Sequence, residues 1–259
     1  KHMTAMNYDL SMSFHSFRYG LLTIGGFYKD IQNIFYPRDG FVLHNDSLTA
    51  AYGYPDYQGI TLNSFVNSPE ATVYGFEVDL QTSLKFLPGI WSGFVFSANM
   101  TRLFSETTIS GYKLEQGDPV FNPLTGTVEY PNQTNNLQER KTSIPGQVDM
   151  IFNLSAGYEY KGFSIRISGA HQADYLDEPQ LQTEGIRDEY RLAFWRWDLA
   201  LKQKVTKNVE VYLNFANLTN MVEETFVSNH RFVNKPNSVA YPSTIFTGRT
   251  LTYGIRVNL

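Results

Sequence analysis

The sequence contains no cysteine among its 259 residues, which excludes disulfide frameworks, thiolate metal sites and cysteine nucleophiles. It also lacks any run of about 18 apolar residues, the length that a membrane-spanning helix needs. No basic cluster is present and the net charge is only -4, so nothing predicts a nucleic-acid partner. Residues 1–3 carry no apolar signal core. If this chain contacts a membrane, it must do so through strands.

Aromatic residues are plentiful instead, with 17 Tyr and 19 Phe, and apolar side chains alternate with polar ones along many short segments. The clearest segment is 71–86, where Tyr74, Phe76 and Val78 alternate with Glu77 and Asp79. A period of two places successive side chains on opposite faces of a strand. The sequence therefore predicts about nine strands, each with one apolar and one polar face.

The connections between these strands alternate in length. Short turns are expected at 19–20, 87–89, 161–162 and 206–208, and long or medium loops over 37–69, 105–145, 177–190 and 219–246. In outer-membrane barrels the short turns face the periplasm and the long loops face outside, whereas soluble sandwiches do not sort their loops by length. The pattern predicts an all-β, antiparallel transmembrane β-barrel in the bacterial outer membrane, with extracellular long loops.

The last segment, 248–259, alternates to its final residue and resembles the C-terminal insertion signal of bacterial outer-membrane barrels. The matching positions are Thr252, Gly254, Val257 and Leu259, although the signal more often ends in Phe or Tyr than in Leu. This resemblance implies that the barrel-assembly machinery inserts the chain and that the C-terminus is periplasmic. Nine strands that end in the periplasm must begin outside, whereas a closed bacterial barrel has an even number of strands. We therefore expect further strands before Lys1.

Several motifs resemble the C-terminal barrel half of the TonB-dependent receptors, and together they cover almost the whole chain. They are the paired segments 7–10 and 25–31, the Tyr-Gly-Phe-Glu-Val run at 74–78, the Asn-Leu-Thr-Asn ending at 217–220, and Gly248-Arg249 before the last strand. The spacing is similar to that of Bacteroidota members. The resemblance implies a plugged barrel of 22 strands, of which residues 1–259 would be about the nine C-terminal strands, in one domain without the plug.

The resemblance also implies a function and a set of partners. Such a receptor captures an extracellular ligand, such as a siderophore or a glycan, and imports it into the periplasm with energy delivered by TonB. TonB would act through the plug region that precedes this chain. Outer-membrane lipid would surround the barrel, and a surface lipoprotein that binds the substrate is a further possible partner.

Candidate site residues fall into two groups. Polar-face charges are expected to face the lumen, where contact with a plug is favoured over contact with substrate because an unpaired charge away from water is costly. These charges are Glu77, Asp79, Arg166, Arg196, Asp198, Lys202 and Glu210. In the outer loops, Tyr52, Tyr54 and Tyr57 offer flat amphipathic surfaces for a sugar or an aromatic chelate.

Nothing in the sequence predicts catalysis, a cofactor or a metal site. The five histidines are scattered, and neither H-E-x-x-H nor G-x-S-x-G occurs. His171 continues the apolar face of its strand, where an inward catalytic base would not lie. Two alternatives to an active transporter remain open: a soluble all-β, lectin-like binding module and a passive outer-membrane porin.

Overall fold

The computed structural model describes residues 1–16, 18–55, 57, 59–180, 188–227 and 243–258. These residues contain a short α-helix, α1 (Asp46–Ala51), and a 3₁₀ helix (Gly89–Gly93). Over the same ranges, no helix is long and apolar enough to cross a membrane. In chain order the strands are β1 (Thr4–Ser16), β2 (Gly20–Leu43), β3 (Ile60–Ser83), β4 (Phe94–Glu115), β5 (Val120–Asn122), β6 (Thr127–Glu129), β7 (Thr134–Thr142), β8 (Met150–Tyr160), β9 (Phe163–Gln172), β10 (Tyr175–Glu178), β11 (Glu189–Arg191), β12 (Phe194–Lys204), β13 (Val209–Ala216), β14 (Val222–Val227), β15 (Ser243–Phe246) and β16 (Thr250–Val257).

Within these ranges, nine strands form one antiparallel meander in the order β1-β2-β3-β4-β8-β9-β12-β13-β16. Lys161 and Gly162 turn β8 into β9 with positive φ angles of 47° and 85°. Two positive φ angles are typical of the tight turns whose twist matches the flanking strands. The prediction of about nine strands in an antiparallel all-β fold is confirmed.

The register gives the meander one apolar face and one polar face. Leu22, Leu80, Ala98 and Leu154 form one continuous row across β2, β3, β4 and β8. Directly opposed side chains share a face in an antiparallel sheet, and the next residue along each strand points to the other face. The period of two that was visible in each strand alone is therefore shared by the whole sheet. We call these two sides the apolar face and the polar face.

The apolar face is not covered by a second layer in the described part of the chain. Leu80, Phe96 and Ile167 lie on interior strands of the meander, yet their side chains remain 42%, 38% and 40% exposed. The fully or nearly buried apolar residues lie elsewhere, mostly beside the long connections: Leu43, Ala71, Val73, Ile109, Ala173 and Leu176. A soluble sandwich would bury such a face against a second sheet.

Short and long connections lie at opposite ends of the meander. The turns between β8 and β9 and between β12 and β13 lie at one end, which we call the turn end. The C-terminal segment is also there, because Asn258 N donates to Asn208 O at 2.9 Å. Rings gather at the same end, with Phe94 at 4.9 Å from Tyr158 and 6.1 Å from Trp91 between centroids.

The opposite end, the loop end, comprises residues 33–55, 57, 59–68, 105–149, 173–180, 188–193, 217–227 and 243–249. It contains α1, the hairpin of β5 and β6, and a small sheet with the strand order β10-β11-β14-β15. The strands β2, β3 and β4 also extend into it, and β7 pairs with the extension of β4. Most of the buried residues lie here.

Two of the predicted loops are much shorter than expected. The prediction that residues 37–40 end the second strand is wrong, because β2 continues to Leu43 through a bulge between Arg38 and Phe41. Gly40 takes a φ of 93° there, which lets the strand absorb the irregularity instead of ending. About half of the loop expected over 105–145 is likewise the hairpin extension of β4 and β7. The alternation of short and long connections is nevertheless preserved.

Candidate functional site

All seven charged residues predicted to face a lumen lie on the polar face. The register links Asp79, Asn99, Asn153, Ala170 and Arg196 in one row across the sheet. The other predicted residues lie on rows parallel to it: Glu77, Arg166, Asp198, Lys202 and Glu210. Their placement agrees with the predicted pattern, and their role against a plug stays a prediction.

Glu210 is the centre of a charge cluster on this face. Its carboxylate lies 3.3 Å from Arg256 Nη1 and 3.9 Å from Lys202 Nζ, and its side chain is only 12% exposed. Arg166 lies 3.9 Å from Glu159, and Asp79 accepts a hydrogen bond from Gln81 at 3.0 Å. The basic members of the face are thus partly neutralised within the sheet.

Asp198 has a structural partner beyond its own strand. Its Oδ1 accepts a hydrogen bond from the backbone N of Asn217 at 2.8 Å. Asn217 is 4% exposed and begins the connection from β13 to β16. The polar face therefore also anchors the start of a long connection, a role that charge patterning alone did not reveal.

The predicted insertion signal is divided between the two faces. Thr252 pairs with Asn214 and Gly254 with Tyr212 on the polar face, whereas Val257 pairs with Val209 on the apolar face. Leu259 lies outside the described residues. A Cβ at Gly254 would lie 2.5 Å from Tyr212 Oη, so the tyrosine ring covers the glycine across the strands.

The three predicted ligand-binding tyrosines lie at the loop end with exposed side chains. Tyr54 and Tyr57 contact each other edge to face, with centroids 6.5 Å apart. Tyr52 instead packs against Phe41 at 5.5 Å, and Phe41 contacts Tyr112 at 4.9 Å. The structure thus brings two of the three together and places the third in a neighbouring aromatic row. Their role in binding stays a prediction.

A cavity of about 510 Å³ lies at the loop end, and the sequence did not predict it. Its walls come from β2, β4, the segment 144–146 and residues 177–180. Most of the wall is apolar and includes Phe35, Pro37, Ile109, Ile144, Pro145 and Pro179. Pro37, Pro145 and Pro179 lie in three separate predicted loops, and nothing in the sequence shows that these segments meet. The predicted tyrosines are not part of this wall.

Three carboxylates also line the cavity, and they differ in what they contact. Asp177 Oδ2 accepts a hydrogen bond from Arg191 Nε at 2.8 Å. This hydrogen bond raises the pKa of Arg191 above its usual value. Asp39 and Glu178 are exposed and have no ion-pair partner among the residues that the structure describes.

Asp188 fixes the cavity wall to β7. It is 5% exposed, and its two oxygens lie 3.0 Å from the guanidinium nitrogens of Arg140. Asp188 Oδ1 also accepts from the backbone N of Gln180 at 2.8 Å, next to Pro179. Burial raises the pKa of the neighbouring Tyr190 above its usual value. A buried carboxylate with these three donors holds the segment after β10 in place.

The loop end is strongly acidic. Among its described residues, carboxylates are more than twice as numerous as basic side chains, which are Arg38, Lys113, Arg140, Lys141, Arg191 and Arg249. Several of these bases are tied to carboxylates: Arg140 to Asp188, Arg191 to Asp177 and Lys141 to Glu106. The described residues of the loop end are thus more acidic than the net charge of -4 for the whole chain indicates.

No group of three or more His, Asp or Glu side chains that could hold a metal ion occurs in the described ranges. His171 lies on the apolar face, as its strand pattern predicts, and stacks on Trp195 with centroids 4.7 Å apart. One of its ring nitrogens lies 2.8 Å from the carbonyl oxygen of Phe194. The contacts of His171 are therefore those of a packed aromatic ring.

Comparisons with known proteins agree with this architecture. A protein-family model described as "TonB dependent receptor-like, beta-barrel" matches residues 1–218. A sequence comparison with curated proteins finds no match.

Solved structures share the fold at low sequence identity. The siderophore receptor PiuA from Acinetobacter baumannii aligns with a TM-score of 0.56 at 16% identity, over 98% of this chain and 28% of that one. A mutant of the ferric enterobactin receptor PfeA from Pseudomonas aeruginosa, in complex with enterobactin, aligns with a TM-score of 0.56 at 15% identity. The alignment covers 98% of this chain and 31% of that one. The copper transporter OprC aligns with a TM-score of 0.55 at 12% identity, over 98% of this chain and 31% of that one. The chain therefore spans less than a third of the length of each.

Proposed function

Because the chain belongs to the TonB-dependent receptor β-barrel family, we propose that it is part of an outer-membrane active transporter. The transporter captures an extracellular ligand and imports it into the periplasm with energy delivered by TonB. The observation that carries the proposal is the family match over residues 1–218, which coincides with the two-faced antiparallel meander. The family consists of receptors and transporters, so the chemistry is conformational and needs no catalytic residues.

The apolar face supports a lipid environment. Its side chains are still partly exposed on interior strands, and a transmembrane barrel turns such a band outward to the acyl chains. The rings of Trp91, Phe94 and Tyr158 at the turn end suit a membrane interface, where aromatic residues are enriched. We place the turn end and the C-terminus in the periplasm and the loop end outside. The barrel-assembly machinery would insert the chain in this orientation.

The polar face supports a filled lumen. Charges such as Asp79 and Arg196 are costly away from water unless they are paired. We propose that these nine strands form the C-terminal part of a barrel of about 22 strands, with a plug against the polar face. TonB would contact the region before this chain.

Receptors named for ferric siderophores and for copper share the fold, but at this identity the fold alone is shared. The ligand class of the transporter thus stays broad: a siderophore, a glycan or a similar nutrient. A surface lipoprotein that delivers the ligand fits the same proposal. The alternatives are a passive porin, which needs neither plug nor TonB, and a soluble lectin-like module, which the uncovered apolar face disfavours.

Two measurements on the full-length protein test the proposal. The first compares gel mobility of protein extracted from outer membranes with and without boiling, since a closed barrel migrates differently once it unfolds. The second follows accumulation of labelled ferric siderophores, copper, oligosaccharides and short peptides in cells with and without TonB. We expect a mobility shift and at least one ligand whose accumulation requires both the protein and TonB.

Each alternative gives a different result. Accumulation that is equal with and without TonB would overturn active transport in favour of a porin. Protein that is water-soluble without detergent and shows no shift would overturn the membrane assignment.

A further inference from the structure

We propose that the cavity at the loop end binds a cationic ligand with an apolar portion, such as a peptide that carries a lysine or arginine side chain. This inference rests on the proposed transport function and specifies the chemistry of the ligand. It is carried by the cavity, by the carboxylates of Asp39 and Glu178, which have no ion-pair partner among the described residues, and by the charge of the surrounding surface.

The size and lining of the cavity suit a small organic ligand. A volume of about 510 Å³ is within the range in which proteins bind such molecules, and most binding pockets have mainly apolar walls. Phe35, Ile109 and Pro145 supply such walls here. A bare metal ion would gain nothing from this lining, and a fully hydrated sugar would gain little. An apolar portion of the ligand can be buried against it.

The carboxylates at the cavity set the sign of charge that it accepts. Asp177 is already neutralised by Arg191, whereas Asp39 and Glu178 have no ion-pair partner in the described part of the chain. A cation near these two groups gains attraction that grows as water is displaced, and an anion meets repulsion. The carboxylates of Asp39 and Glu178 therefore favour an ammonium or guanidinium group.

Among the described residues, three basic side chains are linked to segments of the cavity wall, and none of them counteracts Asp39 or Glu178. Arg38 lies with its guanidinium 5.1 Å from the ring centroid of Tyr112 and is not part of the cavity wall. Arg140 is held by the buried Asp188 and Arg191 by Asp177. Arg140 and Arg191 are thus engaged by carboxylates, and Arg38 packs on a ring outside the cavity wall, so none of the three lines the cavity as an anion-binding group.

The acidic surface of the loop end acts in the same direction. A surface of one sign raises the local concentration of oppositely charged solutes and increases their association rate. The excess of carboxylates over bases at this end would attract cations and repel anions. Attraction at long range and selection in the cavity thus favour the same charge.

The test uses three blocked tripeptides with acetylated and amidated ends and leucine at both outer positions. Their central residue is lysine, glutamine or glutamate, so that length and apolar surface stay matched while the charge changes. Binding to the purified full-length protein in detergent is measured by isothermal titration calorimetry. We expect the lysine peptide to bind about tenfold more tightly than the glutamine peptide, as a charge-assisted contact implies, and the glutamate peptide to bind most weakly. The preference should shrink as salt is raised.

The double variant Asp39→Asn with Glu178→Gln identifies the carboxylates. Both groups are exposed, so the change preserves shape and should leave folding intact. We expect the lysine peptide to lose its advantage while the affinity for the glutamine peptide is unchanged. Asp118→Asn is the matched control, because Asp118 is an exposed acid of the loop end that does not line the cavity. Ile144→Trp, which fills the cavity, should weaken all three peptides.

The inference is overturned if the three peptides bind equally, if none binds, or if the lysine preference survives the double variant. Binding in detergent needs no TonB, so these outcomes are independent of the transport assay. Loss of TonB-dependent uptake with intact peptide selectivity would overturn the proposed transport and leave the binding site standing. TonB-dependent uptake of another ligand without peptide binding would support the proposed transport and overturn the binding site.

Discussion

The side chain of Asn217 donates a hydrogen bond to the carbonyl oxygen of Gly248 at 2.9 Å and thereby closes the connection between the last two strands of the sheet. The same amide donates to Thr247 Oγ1 at 3.0 Å, and its oxygen accepts from Met221 N at 2.7 Å. Asn217 takes a φ of 54°, a conformation that asparagine tolerates better than most residues. The Asn-Leu-Thr-Asn motif noticed in the sequence thus has a local physical cause.

Replacing Asn217 should destabilise the barrel. Asn217→Ala removes buried hydrogen bonds and disfavours the backbone conformation, so we expect a loss of about 2–4 kcal/mol in the free energy of unfolding. Asn217→Gly also removes the side-chain hydrogen bonds, but glycine tolerates the positive φ. Its loss in the free energy of unfolding should therefore be smaller. Urea unfolding of the full-length protein in lipid micelles measures both. Asn220, with a φ of 53° and an exposed side chain, is the control, and Asn220→Gly should change little. Equal effects at the two positions would contradict this account.

Gly254 and Tyr212 should depend on each other. Gly254→Ala places a methyl group where the Tyr212 ring lies, so we expect slower assembly and a lower unfolding midpoint. In a Tyr212→Ala background the space is free, and the same change should then be tolerated or favourable. A double-mutant cycle read by the fraction of heat-modifiable protein measures this coupling. Additive effects would mean that the ring does not explain the glycine.

Adjacent residues of β12 should respond differently to a positive charge. Leu199 lies on the apolar face and Ala200 on the polar face, near the middle of the strand. If acyl chains surround the apolar face, Leu199→Lys should cost about 2–4 kcal/mol of folding free energy in a bilayer. Ala200→Lys should cost much less. The measurement is the yield of folded protein in lipid vesicles. Equal tolerance at both positions would contradict the assignment of the two faces.

Breaking the Arg140–Asp188 pair should loosen the loop end without unfolding the sheet. Arg140→Met leaves a carboxylate that is 8% exposed without its cationic partner, a change that typically costs about 3–5 kcal/mol. We expect faster proteolysis near β7 and β11. The neighbouring pair Lys141–Glu106 is exposed at both side chains, so Lys141→Met should leave the cleavage rate unchanged. Similar cleavage in both variants would refute a specific role for the buried pair.

The exposed tyrosines should contribute to ligand capture. A triple variant should bind the transported ligand about tenfold more weakly because ring contacts are lost. It combines Tyr52→Ala, Tyr54→Ala and Tyr57→Ala. The heat-modifiable band should stay unchanged because these side chains are largely exposed. Tyr130→Ala, at another exposed tyrosine of the loop end, serves as the control. Unchanged affinity in the triple variant would contradict the predicted role.

The strands were predictable because their signal is local. In 71–86, the alternation around Phe76 and Glu77 is visible without knowledge of any partner, and the register only extends it across the sheet. Sorting the connections by length then predicted a barrel with its long loops at one end. The error over 37–40 has an equally local cause, because proline, aspartate and glycine also occur at bulges inside strands.

The cavity could not be predicted because it depends on contacts between distant segments. Pro37 and Pro179 are far apart in sequence and meet only because hairpin extensions and connections fold over the same end. The buried contact of Asp188 with Arg140 is similarly non-local. The sequence contains acidic residues in these segments, but it does not show which of them are neutralised.

The separation of the buried residues from the apolar face has a consequence for how this sequence can vary. Leu43 and Ile109 are enclosed by rigid neighbours at the loop end, so a substitute must match both their chemistry and their shape. Leu80 or Ile167 on the apolar face would meet fluid acyl chains, which flow into any space that a smaller side chain leaves. There a substitute needs only to be apolar. We therefore expect the sheet to tolerate changes in side-chain volume that the loop end would not, so that homologues can diverge widely across their membrane surface while keeping the same strand register.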